Sequence, residues 1–208
     1  MRVRHPPGRG GRLWLAERLQ TATRAADLLE QKERVLTHEQ RRLLVLERAN
    51  RAAWERSWRE CQTWVARAAM LRGRRVIALT ARPEAAAVDL VWRNSMGAYY
   101  PAEAACRLPD EAPLGEIAGT AAMPETVRAH RDALERAVEL AATERAVREV
   151  ERELRATRRR LRMLQHQWVP SLGAALHAVD IELEERERDD RSHGRRSSGA
   201  IGTTRAER

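Results

Sequence analysis

Apolar or small side chains return along the first third of the chain at Leu15, Leu19, Ala22, Ala26, Leu29 and Leu36, with one step skipped at Glu33. They resume at Leu43, Leu46, Ala53, Cys61, Trp64, Ala68 and Leu71. Steps of three and four mostly alternate, which draws a narrow stripe down one face of an α-helix and leaves the other faces to charge. No proline falls between Pro7 and Gly73, and no glycine between Gly11 and Gly73, so nothing in the sequence breaks the helix. The pattern predicts one helix over 13–72. At about 1.5 Å per residue it would be on the order of 90 Å long. A helix of that length with so narrow a stripe needs a partner to bury it.

The other end of the chain supplies one. From Pro124 onward the stripe continues through Leu134, Val138, Ala141, Val150, Leu154, Thr157, Leu161, Leu164, Trp168, Ala175 and Val179, with charge on most remaining positions. Proline in a first turn loses no intrahelical bond, so Pro124 can open the segment. Pro170 instead falls inside it, deprives the His166 carbonyl of its donor and predicts a kink. The expected fold is mainly α, two very long antiparallel helices in a left-handed coiled coil. Its parts are a flexible basic leader over 1–12, the first helix over 13–72, a middle segment over 73–119, the second helix over 120–191 and a disordered basic tail over 192–208.

The middle segment differs in kind, with clustered prolines and both tyrosines. Val76-Ile77-Ala78-Leu79 and Val88-Asp89-Leu90-Val91-Trp92 have strand composition. Asn94-Ser95-Met96-Gly97 reads as a turn leading to Ala98-Tyr99-Tyr100, so a short β-hairpin is expected. Fewer than fifty residues leave no room for a catalytic α/β domain.

Composition agrees with this outline. The 208 residues are only 4% aromatic, with no phenylalanine, whereas Ala, Leu, Arg and Glu abound, as in long helices and coiled coils. The net charge of +9 suggests nucleic acid until its distribution is examined. Seven of those nine charges sit in residues 1–12 and 192–208, so the body between them is nearly neutral.

Lys32 is the only lysine, and it lies in Glu30-Gln31-Lys32-Glu33. A phosphate-binding loop of the Walker type needs a lysine directly after glycine, and a Schiff-base enzyme needs a desolvated one, so both are excluded. Pro6-Pro7-Gly8-Arg9-Gly10-Gly11-Arg12 lacks the strand such a loop follows and reads as an irregular leader. Cys61 and Cys106 form no CxxC pair and have no histidine pair beside them, which points to reduced thiols and away from a zinc or redox site. His166 and His177 share a helix face but would lie about 16 Å apart, too far to hold one ion.

Glu182, Glu184, Glu185 and Glu187 alternate with Arg186 and Arg188 and read as a solvated helix end. Trp54, Trp58 and Trp64 could stack bases, but Glu55, Arg59 and Glu60 around them give no positive groove, so packing or partner contact is the better reading. No catalytic residue, cofactor or metal is expected. No apolar run reaches the roughly 18 residues of a membrane span, and the N-terminus lacks an apolar signal region, so the expected location is the cytoplasm.

Several strings resemble the D subunit of the V/A-type (vacuolar and archaeal-type) rotary ATPases, the central rotor stalk. Arg18-Leu19, Ala22, Arg24, Leu28-Leu29, Lys32 and Leu36 fall where that family has R-L-x-x-A-x-R-G-x-x-L-L-x-x-K-x-x-x-L. Asn94 to Pro101, with Met96 and Gly97, resembles its N-x-M-G-V-x-x-P string. Arg159-Arg160, Leu164 and Pro170 match R-R-x-N-A-L-E followed by proline, and Leu183-Glu184-Glu185-Arg186-Glu187-Arg188 matches its acidic stretch. Ala25, Arg162 and Gln165 replace the family's usual glycine, asparagine and glutamate.

The resemblance covers about 7–191. It implies a non-catalytic shaft that transmits torque between an ATP-hydrolysing or ATP-synthesising hexamer and an ion-translocating membrane ring, peripheral at the cytoplasmic face. The partners it implies are the catalytic A and regulatory B subunits, the small F subunit of the stalk and a further subunit linking the shaft to the ring, with no membrane insertion and no nucleic acid. The F-type γ shaft also pairs terminal helices but carries a larger middle domain. The competing reading is a cytoplasmic coiled-coil scaffold or an arginine-tailed nucleic-acid-binding protein.

Overall fold

The computed structural model describes residues 3–79, 84–110 and 121–203. Helix α1 spans Gly8–Arg72 and is followed by a one-turn helix α2, Arg74–Leu79. Strands β1, Ala87–Ser95, and β2, Ala98–Arg107, form an antiparallel hairpin. Helix α3, Ala122–Met163, passes through a π-helical turn, Leu164–Trp168, into α4, Val169–Thr203. The fold is therefore mainly helical, a long helix pair with a two-stranded hairpin in the middle of the chain.

Two boundaries differ from the outline and one element changes type. Helix α1 begins inside the expected leader, at Gly8. Gly11 has to be glycine there, because a Cβ would collide with the Pro6 carbonyl oxygen. The backbone of α4 continues to Thr203, beyond the expected start of the tail at 192. Residues 1–2, 80–83, 111–120 and 204–208, parts of the expected leader, middle segment and tail, lie outside the described residues. Val76 to Leu79, read as a strand, belong to α2. Gly73, at φ +79°, donates its N–H to the Ala69 carbonyl at 2.8 Å and ends α1, and the chain then turns once more as helix.

The chain divides into two compact units, Glu33–Ala156 and the pair Met1–Lys32 with Thr157–Arg208. In the first, α1 and α3 are antiparallel. Leu36 and Leu43 pack with Ala146, Val147, Val150 and Leu154, and Ala98 and Tyr100 of the hairpin complete that cluster. Farther along α1, Cys61 packs with Ala129 and Ala133, and Ala68 with Ala122 and Met123, where Ile77 of α2 covers them. In the second unit Leu15 packs with Leu172 and Val179, flanked by Val3, Trp14, Leu19, Ala22, Leu176 and Leu183.

Burial along α1 follows a strict seven-residue period. Every seventh residue from Leu15 to Trp64, and every seventh from Leu19 to Ala68, is buried or half-buried. The second series runs through Glu33, Gln40, Glu47 and Trp54, and the first through Asn50 and Ser57, so much of the middle of the seam is polar. Leu46 and Leu71, expected on the stripe, are 37% and 62% exposed.

On α3 the period runs through the buried Thr126, Ala133, Leu140, Val147, Leu154 and Leu161, and through Thr143, Val150, Thr157 and the half-buried Leu164. Continued unchanged it would reach Trp168 and Ala175. Instead Trp168 is 37% exposed, and the series resumes one residue later at Val169, Leu172, Leu176, Val179 and Leu183. The π-turn causes the step. Val169 donates its N–H to the Leu164 carbonyl, five residues back, which inserts one residue into the turn. Pro170 follows at once and cannot serve the His166 carbonyl, so the expected disturbance takes the form of a widened turn.

Candidate functional site

The hairpin is held on the helix pair by one buried phenol. Tyr100 is fully buried on β2, and its hydroxyl donates to Glu39 Oε1 at 2.5 Å. Arg42, one turn along α1, donates to the same carboxylate through Nε and Nη2 at 2.7 to 3.2 Å. The Arg42 guanidinium holds the Glu39 carboxyl below its ordinary range, burial opposes that, and the Tyr100 hydroxyl reinforces it. Burial, and then the Glu39 carboxylate, push the Tyr100 phenol up. At the tip Met96 and Gly97 both have positive φ, +50° and +87°, as a tight two-residue hairpin turn requires. Asn94 Oδ1 accepts the Gly97 N–H at 2.9 Å.

Polar groups also fix the pairing of α1 with α3. Asn50 Nδ2 donates to Thr143 Oγ1 at 2.8 Å, Gln40 Nε2 to Glu151 at 3.1 Å, and Arg51 bridges to Glu144 at 2.7 Å. Polar groups on a seam bond well in one register only, so they specify alignment at some cost in stability. In the other unit, Arg12 pairs with Asp180 at 2.5 Å, Arg9 with Glu187 at 3.0 Å, and Gln165 donates to Glu30 at 2.5 Å.

Of the residues expected on the seam, Leu15, Ala26, Leu36, Leu154, Leu161 and Val179 are buried. Leu19, Ala22, Leu29, Leu164 and Ala175 are half-buried. Positions singled out by the family resemblance do not converge on a point. Met96 and Gly97 occupy the hairpin tip, and Pro101 is buried beside the bulge between Val91 and Trp92. Arg18 stacks over Trp14 at 5.3 Å, and Lys32 is half-buried on α1. Arg159 and Arg160 are exposed on α3, Pro170 follows the π-turn, and Glu184 and Glu185 are exposed on α4. This is the layout of an extended surface.

Two features merit a chemical test. Cys61 Sγ lies 3.2 Å from His130 Nδ1, a thiol–imidazole pair of the kind nucleophilic cysteines use. Cys61 is only 1% exposed, and burial pushes its thiol up, so it stays protonated and out of reach of a substrate. Beside it Trp54 and Trp58, stacked with ring centroids 6.3 Å apart, wall an apolar groove of about 300 Å³ floored by Ala133 and Ala137. Among the described residues no group of three or more His, Cys, Asp or Glu side chains could hold a metal ion. No helix there is long and apolar enough to cross a membrane.

Sequence reasoning missed the Glu39–Arg42–Tyr100 cluster and the Asn50–Thr143 bond. The first joins residues far apart in the chain, and the second uses polar side chains where an apolar stripe was sought. Asn50 does recur at heptad spacing with Leu36 and Leu43, which is the signal that could have placed it.

Comparison with known proteins agrees with these features. The family model for the D subunit of ATP synthase matches residues 13–197. The V-type ATP synthase D subunit from Anaeromyxobacter sp. (strain Fw109-5) is 31% identical over 193 residues, 90% of each chain. The V-type ATP synthase D subunit of Thermus thermophilus is 28% identical over 191 residues, 91% of this chain and 85% of the relative. The same figures hold for the protein of that name in a second strain of that organism. With the match running through α1, the hairpin and both later helices, the chain belongs to the ATP synthase D-subunit family and is a component of a V-type ATP synthase complex.

Proposed function

We propose that the chain is the central-stalk shaft of this rotary complex and does no chemistry itself. The observation that carries this reading is the antiparallel pairing of very long helices within each unit, locked by bonds between the helices, in a member of this family. A helix pair whose register is fixed by Asn50–Thr143 and Arg51–Glu144 resists sliding and can carry torque. Its faces present different side chains around the axis, so each interface of a surrounding hexamer meets a different surface at each rotor angle. Nucleotide state and angle are thereby coupled.

The partners in this reading are the catalytic A and regulatory B subunits, the small F subunit of the stalk and a further subunit linking the shaft to the membrane ring. The chain sits peripherally at the cytoplasmic face, without entering the bilayer and without binding nucleic acid. A pull-down on the full chain in mild salt is expected to recover the large ATPase subunits. Membranes whose complex lacks this chain are expected to hydrolyse ATP without moving ions. Recovery of no ATPase subunit, or ion pumping that persists without the chain, overturns the reading.

A further inference from the structure

Among the described residues, most arginines of α3 and α4 are neutralised by carboxylates on the same helix. Arg145 and Arg152 pair with Glu149, Arg148 with Glu144, Arg155 with Glu151, Arg186 with Glu182, and Arg188 with Glu184, at 2.5 to 3.9 Å. Along α3 and α4 the pattern stops in one stretch. From Leu154 to Val179 the sequence contains no acidic residue, although it contains Arg155, Arg158, Arg159, Arg160 and Arg162. Arg159, Arg160 and Arg162 are exposed and, among the described residues, have no carboxylate within ion-pair distance, from their own helix or from α1.

Their positions on the helix matter. At about 100° per residue, Arg159, Arg162 and Met163 fall within roughly a 100° arc, opposite the buried Thr157 and Leu161. Met163 is 46% exposed, and Trp168, which the π-turn moves off the seam, is 37% exposed less than three turns away. Exposed Arg, Met and Trp together have the composition of an interface centre, not of an ordinary solvated face. Guanidinium groups left without carboxylates in cis are free to bind carboxylates bidentately in trans, and Lys would not reproduce that geometry.

We infer that Arg159, Arg162 and Met163, flanked on one side by Arg160 and Trp168, form a docking surface for an acid-rich segment of a neighbouring subunit, one that also offers an apolar side chain to Met163. The inference rests on the shaft reading and adds to it a defined contact with defined chemistry. The contact is ionic, so it can break and re-form as the shaft turns, and its strength falls with salt.

The test uses the complex purified through a tag on the full chain. In R159E/R162E, retention of partner subunits at about 0.3 M salt is expected to fall about tenfold or more relative to the unaltered chain. In R159K/R162K, which keeps the charge but loses the bidentate geometry, retention is expected to fall between those of R159E/R162E and the unaltered chain, and the melting profiles of both variants are expected to stay unchanged because these side chains are exposed. A photo-crosslinking residue at Met163 in the assembled complex is expected to join one acid-rich peptide of a partner subunit, identified by mass spectrometry. Retention in R159E/R162E equal to that of the unaltered chain, or an adduct with a neutral or basic peptide, nucleic acid or lipid, overturns the surface and leaves the shaft reading standing. An unaltered chain that recovers no ATPase subunit overturns both.

Discussion

Two individual side chains decide how the hairpin unit responds to pH. Glu39 has its carboxyl held below the ordinary range by Arg42 and Tyr100, so the stability it contributes is present above that range. It is lost as pH falls through the folded-state value. Tyr100 behaves in the opposite sense. Its phenol is pushed up by burial and by Glu39, so its contribution is complete below the ordinary phenol range and is lost as pH rises through the folded-state value. Denaturation followed across pH should therefore show an acid limb that Glu39→Gln flattens and an alkaline limb that Tyr100→Phe flattens. At neutral pH the Tyr100→Phe protein should be weaker by about 1.5–3 kcal/mol, the worth of a hydrogen bond to a charged group. An alkaline limb unchanged in Tyr100→Phe would contradict the assignment. Thr157 predicts a gain instead. It is fully buried and its hydroxyl has no partner, so Thr157→Val removes an unsatisfied polar group at nearly constant shape. Thermal melting should rise by about 2–4 °C, corresponding to about 1 kcal/mol.

The helices show which regularities a stripe of apolar residues conveys and which it hides. Helix existence, the antiparallel pairing and the turn at Met96 and Gly97 were all legible, because each depends on local spacing or on backbone chemistry. The seam itself was only partly legible. Following apolar residues led to Leu46 and Leu71, which are exposed, and past Gln40, Glu47 and Asn50, which occupy the heptad positions. Polarity at those sites serves register, and a search for hydrophobicity cannot find it. Val76 to Leu79 suggested a strand because a short run of β-branched composition alone cannot separate a strand from one helical turn. Trp168 was misplaced for a different reason, since a seven-residue count has no means of anticipating an inserted residue. The π-turn makes that explanation testable. Deleting Gln167 together with Pro170→Ala removes the extra residue and the missing donor, so it should turn Leu164–Trp168 into ordinary α-helix while Leu172 and Val179 still meet Leu15. Deleting Arg148 instead rotates everything beyond it by about 100° and should cost far more. Melting temperatures of the two deletions compare them directly. Equal losses would mean that the π-turn does not set the phase.

For the molecule as a whole, charge is the property most easily misread. A pI near 11.0 belongs to proteins that adhere to polyanions, yet the net charge is concentrated in the terminal segments, and α3 and α4 pair most of their described arginines with their own acids. Family membership was legible from the order of motifs along α1, the hairpin and the later helices. The docking surface on α3 was not, because it is defined by missing carboxylates, and only the folded chain shows which arginines lack a partner. The two kinds of positive charge should separate experimentally. Removing 192–208 deletes a net charge of +3 along with the end of α4, and the family match itself stops at 197. If non-specific adhesion resides in the ends and recognition in the folded faces, the truncated chain should elute from heparin at distinctly lower salt while still recovering the other subunits of the complex. Each arginine–anion pairing removed lowers the salt slope by about one. Loss of assembly on truncation would instead assign the last turns of α4 to the interface, and unchanged elution would mean that the body of the helix pair carries the polyanion affinity.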